Sequence, residues 1–250
     1  MRILYDNVID GITGTSLTAL TSATNYSIIN VQRQILAETW RSTAVTAQTV
    51  VIDLGMAESI NTAAILNHNF TNSVTLTVEG NTSNSWPGAF SQILTYNSGI
   101  IMNFFSSQSY RYWRFSMSDP ANTLGYLQVG RLWLGNYVTI DPSSLLDFKV
   151  TKKRNDTVVF SKGRQKYASI GVGWREFDLN FPPTQTTSLN IIQTMFDHSG
   201  NHSSLIFANF DTIRNYEIVE PCYCSIIGDI TFAHDNYMKF TYGLKLGENK

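Results

Sequence analysis

Short β-type runs recur through the first part of the chain, with turn-forming residues between them. Patterns of this kind cover residues 49–54, 63–66, 74–78, 110–115 and 127–134. Several short strands at such spacing indicate a sandwich or a jelly roll. We therefore predict an antiparallel β fold for this part.

The segment 110–115 carries aromatic and basic residues on both of its predicted faces. These two faces consist of Tyr110, Tyr112 and Arg114 on one side, and of Arg111, Trp113 and Phe115 on the other. A single core face would not hold so many rings. We expect one face to pack in the core and the other to be covered by a loop or by another subunit.

The second part combines strand patterns with one helical pattern. Strands are predicted near 146–150, 157–160, 174–181, 204–210, 215–220, 222–232 and 237–246. Leu189, Ile192 and Phe196 recur at helical spacing and Gly200 follows them, which predicts a helix at about 185–198. This part should therefore be a β-sheet layer with one helix packed on it.

A change in basic residues divides the chain. Residues 1–140 contain six Arg and no Lys, whereas residues 141–250 contain eight Lys and four Arg. The turn-forming cluster Asp141-Pro142-Ser143-Ser144 lies at the change. We place a boundary near 138–146, which gives predicted domains 1–140 and 141–250.

Composition supports a mainly β protein and excludes several functions. The 250 residues are rich in Thr, Ser and Asn, only 15% are charged, and the net charge is -1. Such a chain is not a helical bundle and has no electrostatic drive toward nucleic acid or anionic membranes. It shows no signal peptide and no apolar run of membrane-spanning length, so we expect a chain kept in a cytosol or packaged from it, without membrane insertion.

The sequence offers little catalytic or metal-binding chemistry. Cys222 and Cys224 are predicted to be reduced core thiols on one strand face. The four histidines are expected to be exposed turn residues: His68, His198, His202 and His234. No nucleotide-binding or nucleophile motif occurs, so we predict no enzyme, no metal and no cofactor.

A basic cluster stands out near the start of the second part. It comprises Lys152, Lys153, Arg154, Lys162, Arg164 and Lys166. The cluster fits a solvated hairpin, a surface that neutralises phosphates, or a loop that meets a neighbouring subunit or lines a channel crossed by DNA.

Several motifs of the first part resemble the discoidin (F5/8 type C) family of galactose-binding-like jelly rolls. They are Trp40-Arg41-Ser42, Asp53-Leu54-Gly55, Val78-Glu79-Gly80-Asn81, Trp86, Arg111-Tyr112-Trp113-Arg114 and Gly130-Arg131-Leu132-Trp133-Leu134-Gly135. Their order and spacing agree with the family across residues 25–136. Gly80-Asn81 departs from the family's usual turn, and no cysteine pair brackets the domain.

The resemblance implies ligand binding by loops at one end of the sandwich. The corresponding loops are about 31–42 and 81–92, which makes Arg33, Trp40, Asn84 and Trp86 glycan-facing candidates. The two tryptophans fit equally well as core or loop-packing residues.

The chain also resembles discoidin-type proteins encoded among the tail genes of bacteriophages. Its second part, with strands, one helix and further strands, is similar in element order to the tail-tube fold of tube and distal tail (Dit) proteins. There six copies form a ring around the DNA channel, and the basic segment 149–167 resembles the hairpin that contributes to ring formation.

Two main hypotheses follow. The first is a structural virion protein of a phage tail tip or baseplate, assembled in the host cytoplasm as a hexameric ring. Its partners would be other tail proteins (tube, hub and fibres) and a host cell-surface glycan, with DNA only as passing cargo. The alternative is a carbohydrate-binding protein whose second domain is only a platform. A third, weaker hypothesis is an accessory subunit of a hydrolase.

Overall fold

The chain forms two compact units, which we call the first unit and the second unit. The computed structural model describes residues 1–12, 16–140, 148–184, 186–211, 216–236 and 239–250. The first unit is Asp6–Tyr137, and the second unit combines Met1–Tyr5 with Val138–Lys250. This division differs from the predicted domains 1–140 and 141–250 at the start of the chain. The predicted turn cluster at 141–144 lies outside the described residues.

The first unit is an antiparallel β structure with one short 3-10 helix, Ile28–Gln32. Its strands are β2 (Leu17–Ala19), β3 (Trp40–Arg41), β4 (Gln48–His68), β5 (Thr75–Asn81), β6 (Phe90–Ile93), β7 (Ile101–Ser118) and β8 (Gln128–Gly135). They pair in the order β3-β8-β4-β7-β5-β6, and β2 pairs with β4.

Two long strands fold this sheet into a sandwich. β4 and β7 pair along both of their halves, but the register shifts between Asp53 and Glu58. The first half of β4 pairs with β2, and its second half pairs with β8. Side chains from both halves, such as Ile52 and Ile65, are fully buried in one core. The two halves therefore form two layers around a common core.

The second unit is built on one antiparallel sheet, whose strands differ in length. Its strands are β1 (Arg2–Leu4), β9 (Val138–Thr139), β10 (Phe148–Arg154), β13 (Gly173–Thr184), β14 (Ser204–Asp211), β15 (Tyr216–Ile226), β16 (Phe232–Asn236) and β17 (Lys239–Glu248). The order is β10-β13-β17-β15-β14-β1-β9, with β16 on β17. Because β1 lies between β14 and β9, the first five residues belong to this unit.

One α-helix, α1 (Thr186–Ser199), contributes to the core of the second unit. Ile192 and Met195 are fully buried and cluster with sheet residues such as Phe177 and Leu244. The helix predicted at about 185–198 is therefore confirmed. Phe196 is only half-buried, because Met195 holds the core position on that turn.

A β-hairpin extends from β10 and β13. Its strands β11 (Thr157–Phe160) and β12 (Lys166–Ser169) pair with each other in a separate two-stranded sheet, and all eight residues are exposed. We call residues 155–172 the arm. Each of its two strands has four residues, a length of about 13 Å.

The predicted mainly β class, with a sandwich and one helix, is confirmed. Cys222 and Cys224 are free and buried, as predicted. Within the described ranges, no helix is both long enough and apolar enough to cross a membrane.

Candidate functional site

The outer face of one sandwich layer brings polar and aromatic side chains into rows across three strands. One row is Val51, Arg114 and Glu79, and the next is Asp53, Tyr112 and Asn81. On the opposite face, Trp113 and Phe115 are fully buried. The two faces predicted for residues 112–115 are thus confirmed.

Tyr110 departs from the predicted alternation. It packs against the core, and its ring lies edge-on to that of Trp113 with the centroids 6.1 Å apart. The register shift in the partner strand β4, between Asp53 and Glu58, changes which face this end of β7 presents.

Arg114 and Glu79 support the indole of Trp86. The guanidinium carbon of Arg114 lies 4.5 Å from the centroid of the Trp86 ring. Arg114 Nε and Nη2 both donate to Glu79 Oε2, at 2.7 and 2.5 Å. Because the Glu79 side chain is only 7% exposed, this pair is shielded from water. The guanidinium is therefore fixed beneath an indole that stays partly exposed.

The loop that carries Trp86 is held by several hydrogen bonds. The Gly88 N–H donates to Glu79 Oε1 at 3.3 Å, and Asn81 Nδ2 donates to the Ser85 carbonyl at 2.7 Å. Trp86 Nε1 donates to Asn84 Oδ1 at 3.0 Å. A Cβ at Gly88 would lie 2.7 Å from the Gly80 carbonyl oxygen, so only glycine permits this close approach.

A second arginine and carboxylate pair borders the same face. Arg111 Nε and Nη2 donate to the two carboxylate oxygens of Asp53 at 2.7 and 2.8 Å. The hydrogen bond from Arg111 holds the pKa of Asp53 below its usual value. The Arg111 guanidinium also lies over the Tyr112 ring, 4.9 Å from its centroid. Together these contacts order the polar surface around Trp86.

The predicted candidates in loop 31–42 fall in different environments. Trp40 is completely buried, and its Nε1 donates to the Thr21 carbonyl and the Ser22 hydroxyl, both at 3.0 Å. A sugar cannot stack on this indole, so Trp40 is corrected from a glycan-facing residue to a core residue. Arg33 is exposed and forms an ion pair with Glu38.

The structure does not bring the two predicted loops together. β3, which begins at Trp40, pairs with β8 at Val129, and Val129 pairs with His68 at the end of β4. The Trp86 loop begins at Asn81, which pairs with Tyr112 of β7. Tyr112 in turn pairs with Asp53, which lies in β4 before its register shift. Of the four candidates, only Asn84 and Trp86 are in contact.

Sequence reasoning missed Glu79 and Arg114 as members of this site. Arg114 was assigned to the correct face, but its partner belongs to a strand 35 residues earlier. Alternation places a residue on a face without showing which strand lies beside it. The signal available in the sequence was a glutamate at an outward-facing position of one predicted strand and an arginine at an outward-facing position of another.

The predicted assembly residues lie in and beside the arm. Lys152, Lys153 and Arg154 end β10, and the other three surround the tip: Lys162, Arg164 and Lys166. All six are exposed. Lys153 pairs with Glu176 at 2.7 Å, and Arg154 pairs with Asp156 at 3.2 Å. Lys152, Lys153 and Arg154 line one open cavity beside Trp174, and the three residues at the tip lie outside it.

Three of the four histidines are exposed, but only His202 lies in the predicted turn position, since His198 belongs to α1 and His234 to β16. The fourth, His68, is a further correction. It lies half-buried at the end of β4, with Nε2 3.0 Å from the Asn97 carbonyl and Nδ1 accepting from the Phe70 N–H at 3.3 Å. Among the residues that the structure describes, no three His, Cys, Asp or Glu side chains form a group that could hold a metal ion.

Comparison with known proteins gives similarity at the level of structure. No family model matches the chain, and no curated protein matches its sequence. One similar solved structure is chitosan-binding module 1 of a chitosanase/glucanase from Paenibacillus sp. IK-5, with 16% identity over 52% of this chain and 99% of that chain and a TM-score of 0.42.

Two other similar structures carry related names. A fucose-binding module of Streptococcus pneumoniae has 11% identity, covers 52% of this chain and 95% of its own, and has a TM-score of 0.43. The lectin domain of lectinolysin, complexed with Lewis B antigen, has 12% identity over 52% and 95% of the two chains and a TM-score of 0.42. These structures, to which about half of the chain is similar, are carbohydrate-binding modules.

Proposed function

We propose that the protein binds carbohydrate, with the first unit as the binding module and the second unit as its platform. The observation that carries this proposal is the Trp86 indole, partly exposed and fixed from below by the shielded Arg114 and Glu79 pair. A sugar ring stacks its C–H groups on such an indole, and an indole that is already fixed in place loses little entropy when the sugar binds.

Polar groups around the indole supply directional contacts. Asn84 lies beside the indole N–H, and Asn81 and Tyr112 lie in the adjacent row of the sheet face. Amide and hydroxyl groups of this kind donate to and accept from sugar hydroxyls. The proposed mechanism is binding and does not include a catalytic step.

A glycan array with the full chain tests this proposal. We expect binding to a subset of glycans, and a loss of at least about fivefold in affinity in Trp86→Ala, because a stacked ring contributes about 1 kcal/mol or more. Trp174→Ala is the matched control, since Trp174 is another partly exposed tryptophan, in the second unit. An array without any binding, or equal losses in both variants, would contradict the proposal.

We propose as a second function that the chain is a structural protein of a bacteriophage tail tip, assembled as a ring that resembles those of distal tail proteins. The arm supports this candidate, because it exposes apolar side chains on both of its faces. Val158 and Phe160 lie on one side and are 44% and 63% exposed, while Val159 and Tyr167 on the other are 58% and 59% exposed. A two-stranded hairpin is marginally stable in water, so such an arm gains stability by packing on a neighbouring chain.

Sedimentation and negative-stain imaging of the concentrated protein test the second function. We expect rings with a central hole, and their loss in a Phe160→Ser and Ile170→Ser double variant. Ile93→Ser is the control, because Ile93 is 68% exposed but lies in the first unit. Assembly by the double variant at the same concentration as the unaltered protein would rule out the arm as the assembly element.

A further inference from the structure

Arg41 is held between two tyrosine rings at the surface of the first unit. Its guanidinium carbon lies 3.9 Å from the centroid of the Tyr26 ring and 4.6 Å from that of Tyr126. Its Nε donates to Gln128 Oε1 at 2.9 Å. Two rings and one hydrogen bond fix the plane of the guanidinium before any ligand arrives.

Hydrogen bonds fix the backbone segments that carry the two tyrosine rings. The Arg41 N–H donates to the Tyr26 carbonyl at 3.4 Å, and the Ala23 N–H donates to the Arg41 carbonyl at 2.7 Å. Asn69 Nδ2 donates to the Tyr126 carbonyl at 2.9 Å, while its Oδ1 accepts from the Gln128 N–H at 2.7 Å. Three separate chain segments are thus tied around one cation.

Arg41 differs from the other arginines of the first unit in its partners. The others each pair with a carboxylate, in the pairs Arg33 and Glu38, Arg111 and Asp53, Arg114 and Glu79, and Arg131 and Asp10. Within the described residues, Arg41 has no carboxylate partner, and its one hydrogen-bonded guanidinium nitrogen is Nε. Its Nη1 and Nη2 groups therefore keep their donors for a ligand.

We propose that Arg41 binds an oxyanion, the carboxylate or phosphate group of an acidic glycan, through its two Nη groups. This inference rests on the proposed carbohydrate binding and adds a second contact of different chemistry. A guanidinium donates two parallel hydrogen bonds to such a group, and the fixed plane favours that geometry. The half-buried position strengthens the attraction relative to a fully solvated arginine.

Three sugars that differ only at C6 test the inference on the full chain: glucose, glucuronate and glucose 6-phosphate. Binding is measured by NMR from the Arg41 Nε–H and the ring signals of Tyr26 and Tyr126. We expect at least one acidic sugar to bind at least about tenfold more tightly than glucose, because the charged guanidinium then donates to a charged acceptor instead of a neutral hydroxyl. A preference for glucuronate identifies a carboxylate ligand, and one for glucose 6-phosphate identifies a phosphate ligand.

Two variants separate a specific contact from general attraction. Arg41→Lys keeps the charge but loses the planar fork, and we expect it to lose about tenfold in affinity for the acidic sugar. Arg33→Gln removes an exposed arginine of the same loop and should bind as the unaltered protein does. Equal affinity for all three sugars, or equal losses in both variants, would overturn the inference.

The outcome for Arg41 is distinguishable from that for Trp86. Trp86→Ala should retain the Arg41 response to acidic sugars while losing glycan-array binding. If array binding depends on Trp86 and acidic sugars leave the Arg41 signals unchanged, the present inference fails and the proposed function stands. If the Arg41 response occurs without any Trp86-dependent binding, the Trp86 proposal fails and the Arg41 contact stands.

Discussion

Two tryptophans that look alike in the sequence have opposite roles in the structure. Trp40 is fully buried with its indole N–H satisfied inside the protein, whereas Trp86 is partly exposed above an arginine. Both were predicted to lie in loops, where alternation gives no information, although the structure places Trp40 at the start of β3. The sequence therefore predicted that a tryptophan lies at the surface of this region, but it did not show which of the two indoles is exposed.

Replacing Trp40 with alanine should destabilise the first unit. We expect a loss of about 3–5 kcal/mol in its free energy of unfolding, because a large cavity forms in the core. Trp86→Ala should cost about 1 kcal/mol or less, since it removes one cation-π contact at a partly exposed site. Denaturant unfolding followed by circular dichroism measures both values, and a larger loss in Trp86→Ala would contradict the assignment.

His68 should make the first unit sensitive to mild acid. Burial lowers the pKa of its imidazole, although hydrogen bonds to the backbone of Asn97 and Gly99 act in the opposite direction. The folded pKa then lies below the unfolded value of about 6.5, so the unfolded chain takes up the proton first. The stabilisation that the neutral imidazole gives to the folded protein is complete above the unfolded pKa, and it is lost as the pH falls below that pKa.

Unfolding at pH 7.5 and pH 5.5 tests the effect of His68. The unaltered protein should lose more stability between these two conditions than His68→Gln does, because glutamine does not titrate. Equal losses in both proteins would assign the effect to other groups.

At the scale of elements, the positions of the strands and of the helix were largely predictable from the sequence. Whether two predicted strands belong to one continuous strand was not. Runs 49–54 and 63–66 were predicted as separate strands, yet both belong to β4 (Gln48–His68). The segment between them carries turn signals, and the Gly55 N–H does donate to Asp53 Oδ1 at 2.8 Å. Pairing with β7 nevertheless continues on both sides, so a bend replaces the expected loop.

The arm provides a prediction of its own at Gly171. A Cβ there would lie 2.0 Å from Asn155 Oδ1 and 2.5 Å from the Asn155 carbonyl oxygen, so Gly171→Ala must distort the base of the arm. Because the arm is exposed, the free energy of unfolding should change by no more than about 0.5 kcal/mol. Hydrogen exchange in β11 and β12 should become faster.

Gly163→Ala is the matched control for Gly171. It lies in the turn of the same arm, and a Cβ there would meet nothing closer than the Ser161 hydroxyl at 3.9 Å. Its hydrogen exchange should match that of the unaltered protein. Equal acceleration in the two variants would show that the close approach at Gly171 does not matter.

For the whole molecule, the first unit is inserted between two neighbouring strands of the second. Ile3 in β1 pairs with Val138 in β9, on either side of the insertion. The charge change near residue 140 indicated one junction, but the three-residue strand β1 carries no pattern long enough to assign it to the distant sheet. Only the pairing with β14 identifies its unit.

This arrangement predicts how the chain can be shortened. Replacing Asp6–Tyr137 with a short Gly/Ser linker should leave the second unit folded, because the linker joins adjacent antiparallel strands. Removing Met1–Tyr5 from that shortened chain should cost about 3 kcal/mol or more, since Met1 and Ile3 are buried in the core of the second unit. Thermal unfolding compares the two, and equal melting temperatures would contradict the role of β1.

The insertion also determines how mechanical load passes through the protein. A pull on the first unit reaches the second unit through two peptide connections, Tyr5 to Asp6 and Tyr137 to Val138. Tension divides between β1 and β9, and β1 is itself hydrogen-bonded on both sides. A single proteolytic cut at either connection leaves the first unit attached. The first unit therefore has two anchors, whereas a unit appended at one end of a chain has one.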